Sequence, residues 1–259
     1  MSIEALPFVN WIFWAAIGSG SLLVVGGTEL AGGTTRGYRL FMAALMAIFA
    51  AILVWSDLSL ALGTVADGTA SVRRSLVLLS AGLSGAYLVA SVVRWPRSGL
   101  AIAAGLAGIA ALSALAAAGG TLSPTLFTAQ LILAALGLGA ASAAMLLGHW
   151  YLVTPQLSPV PLVRMMRLLI VTLLLQGLAS GIALLAVSSG PLGGSIGWLT
   201  WLRLIVGIGL PLIITVLAIL ASRAASLQAS TGLLYVALAL VMAGSIAGAS
   251  IAYLTGVPV

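Results

Sequence analysis

The chain is a succession of long apolar runs separated by short polar connectors. Each run is roughly 20 residues, the length at which an α-helix crosses a hydrocarbon core of about 30 Å. The pattern predicts eight helices, at roughly 8–30, 38–56, 75–93, 99–119, 126–150, 164–188, 197–221 and 230–255. In lipid every backbone amide and carbonyl must be bonded within the structure, so runs of this kind are helices rather than isolated strands. The expected fold is all-α, a polytopic integral membrane protein. The first run is read as a membrane helix and not a signal peptide. It follows Met1-Ser2-Ile3-Glu4, which has no basic residue, and it outlasts a signal-peptide core.

Composition sharpens this picture. Of 259 residues, 62% are hydrophobic and 5% charged, against roughly a quarter charged in soluble domains. No stretch between the runs is large enough for a soluble domain. The absence of cysteine excludes disulfides, thiolate-held iron–sulfur clusters and covalent haem attachment within this chain. The absence of lysine excludes a Schiff base. His149 is the only histidine, so bis-histidine haem ligation is excluded as well. The net charge of +6 comes from arginines at the ends of the runs, which points to membrane edges and not to nucleic acid.

Arginine placement predicts orientation. Arg36, Arg39, Arg94, Arg97, Arg164, Arg167 and Arg223 follow helices 1, 3, 5 and 7, whereas Arg73, Arg74 and Arg203 fall on the other side with Glu4, Asp57 and Asp67. By the positive-inside rule both termini lie outside a bacterial-type inner membrane. Trp11, Trp14, Trp55, Trp95, Trp150, Trp198 and Trp201 all stand near helix ends, as an interfacial aromatic belt would.

The order of residues also suggests a duplication. Arg36-Gly37-Tyr38-Arg39-Leu40 is echoed by Arg164-Met165-Met166-Arg167-Leu168, and the Arg74–Arg94 spacing by Arg203–Arg223. Ala15-Ala16-Ile17-Gly18-Ser19-Gly20 is echoed by Ala134-Ala135-Leu136-Gly137-Leu138-Gly139. Uniform helices edged by arginine would produce some of this periodicity without duplication. The division expected is residues 1–121 and 122–259, two four-helix halves related as parallel repeats about an axis along the membrane normal.

The candidate chemistry centres on Gly148-His149-Trp150-Tyr151-Leu152-Val153-Thr154-Pro155-Gln156-Leu157-Ser158-Pro159. An imidazole can both donate and accept hydrogen bonds, and beside Trp150 and Tyr151 His149 suits a quinone headgroup. The alternative is an interfacial histidine among belt aromatics. Glu29, between Gly26-Gly27 and Gly32-Gly33, falls at a nearly equivalent depth in the first half. It is an intramembrane acid and a site candidate, or else the partner of Arg36 or Arg39. Arg36, Arg39, Arg164 and Arg167 are read as structural or interface residues. Asp57 and Asp67 are expected to face water, and Arg203 to snorkel to the outer interface. Gly207-Ile208-Gly209-Leu210-Pro211 predicts a kink in helix 7. Gln130 and Gln176 are read as interhelical glue. Small residues such as Gly105, Gly108, Gly244 and Gly248 are read as allowing close helix packing. No phosphate loop, metal-ligand pair or nucleophile–base set is present in the sequence.

Eight helices in two halves and the glycine-rich first helix, Trp11-Ile12-Phe13-Trp14-Ala15-Ala16-Ile17-Gly18-Ser19-Gly20, resemble the polysulfide-reductase and NrfD-type membrane subunits. That resemblance implies a haem-free, quinone-interacting pair of four-helix bundles, and it transfers no residue role. The function expected is a non-catalytic or quinone-reacting membrane subunit of an electron-transfer complex, with lipid around it and redox centres on partner chains. The alternatives are a small permease for an apolar or weakly polar substrate and a structural assembly subunit.

Overall fold

The computed structural model describes residues 5–60, 67–93, 95, 97–118, 123–154, 158–186 and 193–259. Among them are eight helical spans long and apolar enough to cross a membrane. They are α1 (Leu6–Ala31), α2 (Arg36–Ser59), α3 (Thr69–Val93), α4 (Ser98–Ala118), α5 (Pro124–Val153), α6 (Val160–Ala186), α7 (Gly194–Arg223) and α8 (Leu227–Thr255). The chain is thus an all-α, multi-pass membrane protein. Its outer surface carries apolar side chains such as Ile48, Leu78, Val89, Leu178 and Leu185, a belt suited to contact with lipid.

Local chemistry sets the helix ends. The Thr35 hydroxyl accepts from the Tyr38 amide at the start of α2, and Ser123 does the same for Leu126 ahead of α5, with Pro124 in the first turn. Gly256, with φ 68°, closes α8 in the left-handed conformation and turns the last residues back onto the bundle. Many hydroxyls inside the spans, among them Ser84, Ser91, Thr215 and Ser250, donate to the carbonyl four residues earlier. A polar group in hydrocarbon is satisfied this way without a partner helix.

α1 and α5 form the centre and are the most buried spans, at 72% and 67%. α1 packs on α2 and α4, and α3 lies against both of these; α5 packs on α6 and α8, and α7 lies against both of those. The cross-contacts match as well: α1 meets α5 and α8, and α5 meets α1 and α4. At the α1–α5 crossing a side chain on Gly20 would strike the Ala135 carbonyl, and one on Gly139 would strike the Gly20 backbone. These glycines are counterparts in the echoed segments. The boundary at 121–122 lies outside the described residues.

The structure departs from the sequence expectation in α3, α7 and the tryptophans. α3 begins well before residue 75, because Arg73 and Arg74 are helical and turned inward to an acid. In α7 the Gly-Pro segment gives a π-helical stretch over Leu202–Gly209 in place of a simple kink. The Leu210 amide donates back to the Ile205 carbonyl, one residue further than in an α-helix, just ahead of Pro211, which has no amide hydrogen. Trp55, Trp95, Trp198 and Trp201 are exposed as a belt requires, but Trp11 is fully buried.

Candidate functional site

On the arginine-rich side, α5 ends with the three aromatic residues. Successive helical positions diverge by about 100°, and the three side chains separate accordingly. His149 is exposed, and its Nδ1 shares a hydrogen bond with the Tyr235 hydroxyl of α8 at 3.1 Å. The Trp150 ring lies over Gly37 of α2, where any side chain would strike it. Tyr151 is buried and its hydroxyl donates to the Ser158 carbonyl at 2.7 Å, pinning the connector against the end of α5. Pro155, Gln156 and Leu157 lie outside the described residues. The His-Trp-Tyr triplet therefore lines three different contacts and not one wall.

Glu29 does not pair with Arg36 or Arg39. Its carboxylate accepts from the Tyr87 hydroxyl of α3 at 2.9 Å and from Arg97 Nε at 3.4 Å. The reason is direction: Glu29 projects toward α3 and α4, whereas Arg36 opens α2 as an exposed residue. Arg39 Nε and the Trp150 indole N–H are buried without hydrogen-bond partners. Arg36, Arg164, Arg167 and Arg223 are exposed and join none of the ion pairs found among the described residues. Arg94 and Glu4 lie outside those residues, as does the side chain of Asp67.

The same side carries a groove between α1 and α6. It has a volume of about 210 Å³ and is lined by Leu23, Val24, Gly27, Thr28, Ala31, Arg164, Met165 and Leu168. The lining is apolar except for Thr28 and Arg164. Thr28 donates to the Val24 carbonyl, which leaves its oxygen as an acceptor. Space is open at Gly27, where an added side-chain carbon would meet nothing within 4 Å.

The opposite side holds two polar clusters, both more buried than expected. Asp57 does not face water: it is 2% exposed and accepts from Arg73 Nε at 2.9 Å, Arg74 Nε at 3.2 Å and the Trp11 indole at 2.9 Å. The Arg73 guanidinium also stacks over the Trp11 ring. Desolvating a carboxylate is costly unless it is fully paired, and here α1 and α3 supply all three donors. Arg203 does not snorkel either. It is 2% exposed, donates to Gln176 Oε1 at 2.7 Å and reaches a main-chain oxygen of Val259, the last residue of the sequence, at 3.3 Å. Gln176 in turn donates to Leu133, and Gln130 to Ser180, so both glutamines tie α6 to α5 as read.

The groove and the Arg203 cluster escape a linear reading because each joins helices distant in sequence. No three His, Cys, Asp or Glu residues are grouped as metal ligands among the described residues. The chain matches none of the protein-family models, curated proteins or solved structures compared with it.

Proposed function

We propose that this protein is the membrane-embedded subunit of an electron-transfer complex, anchoring redox-bearing partners and holding a quinone in the α1–α6 groove. The groove is the observation that carries the reading. An apolar channel with one exposed guanidinium at its edge suits a ligand with a hydrocarbon tail and a carbonyl that needs a donor. We place the donor role on Arg164 rather than on His149, which is bonded to Tyr235 and does not line the groove. The exposed arginines around it offer an acidic partner a docking face, on the side that the positive-inside rule makes cytoplasmic.

Tight packing at Gly20 and Gly139 supports an anchor over a conduit, since backbone meets backbone where a central path would run. The test is quinone binding to the purified chain, wild type against Gly27→Leu. The leucine fills open space in the groove, so the fold should persist while binding is lost. Equal binding by the two proteins removes the groove from the account.

A permease reading draws on the π-helical stretch of α7, since departures from α-helical geometry often sit at functional sites. Flux in proteoliposomes containing only this chain would favour it over the anchor.

A further inference from the structure

The α1–α6 groove presents two polar side chains, and they differ in kind. Arg164 stands on the α6 wall and is exposed. A guanidinium has donors only. Thr28 stands on the α1 wall, and its hydroxyl hydrogen is committed to the Val24 carbonyl at 2.6 Å. Turning that hydroxyl toward a ligand would forfeit the bond, so what Thr28 offers the groove is an acceptor oxygen. No other lining residue has a polar side chain. The nearby carboxylate of Glu29 is already held by Tyr87 and Arg97. The groove therefore sets one donor on one wall against one acceptor on the other.

We infer that the groove discriminates between the two redox forms of its ligand and favours the quinol, with Thr28 as the residue that decides; this rests on the quinone reading of the groove. Both oxygens of a quinone are acceptors. Arg164 serves one, and the other is left against the Thr28 oxygen, lone pair to lone pair. Quinol hydroxyls both donate and accept. One accepts from Arg164 while the other donates to Thr28, so the reduced ligand makes two bonds where the oxidised one makes one. Oxygens at opposite edges of a ring suit groups on facing walls. α6 packs on α5 and α7 rather than closely on α1, which keeps the walls apart. The open space at Gly27, one residue before Thr28, leaves room for the ring beside the hydroxyl. One such bond corresponds to about a tenfold difference in affinity. A preference of that size raises the midpoint potential of a bound two-electron couple by about 30 mV.

The experiment is equilibrium binding to the detergent-purified full chain of decylubiquinone and, under argon, of its borohydride-reduced quinol. The wild type should bind the quinol about tenfold more tightly. Thr28→Val keeps the branched shape but cannot accept, so it should weaken quinol binding, strengthen quinone binding and erase the preference. Thr28→Ser keeps the hydroxyl and should retain it. A redox titration of the bound couple reads the same preference as a raised potential that Thr28→Val abolishes. A wild type that binds the two forms equally, or the quinone better, overturns this inference and leaves the groove reading standing, as does a preference that survives Thr28→Val. Failure of both forms to bind overturns the inference and the groove reading together.

Discussion

Gly20 of α1 and Gly139 of α5 touch backbone to backbone at the middle of the molecule. The two stand at matching places in the echoed segments, and their contact lies within the α1–α5 packing. Ser21 and Ser142 share a hydrogen bond of 2.8 Å beside it. Either glycine changed to alanine should force α1 and α5 apart and lower stability by about 1–3 kcal/mol. Gly85→Ala and Gly181→Ala, where an added carbon meets nothing within 4 Å, are the controls. Thermal unfolding in detergent checks this, and equal melting of all four variants would contradict it.

Asp57 and Arg73 predict a second stability effect. Asp57→Ala leaves Arg73, 3% exposed, as an uncompensated buried charge, which costs about 3–5 kcal/mol. Adding Arg73→Met should recover much of the loss, because it removes the stranded cation as well. The same unfolding assay reads both, and a double variant no better than Asp57→Ala would contradict the pairing.

Glu29 separates a structural role from a binding role. Its alanine variant strands Tyr87 and Arg97 and should cost about 1–3 kcal/mol of stability. Glu29→Gln keeps an acceptor for Tyr87 and should lose less. Quinone affinity per folded molecule should stay the same in both, since the carboxylate is turned toward α3 and away from the groove.

His149 and Arg164 should part company in a quinone-binding assay. Arg164→Ala removes the charged donor at the groove and should weaken binding about tenfold or more. His149→Ala should leave affinity unchanged and release only the contact with Tyr235. The reverse result would return the ligand to the end of α5.

The spans were legible because length and apolarity alone decide them: all eight expected helices are present, with ends moved by a few residues except in α3. What could not be read was partnership. Asp57 stands at the end of an apolar run and looks water-facing until Trp11 and Arg73, from two other helices, close over it. Arg203 looks like an interfacial arginine because nothing in its own helix shows that Gln176 and Val259 meet it. Glu29 offered two near neighbours in sequence and paired instead with Tyr87 and Arg97, far along the chain. Charge in a membrane is costly wherever it is unpaired, so sequence flags the residue, and only the packing names the partner.

The anchor account is tested most directly by the composition of the assembly. Purified from its native membrane in mild detergent, the protein should travel with at least one partner chain bearing a redox centre, and extraction should release a quinone. Native mass spectrometry of that peak measures both. A chain that runs alone, without partner or quinone, would contradict the account.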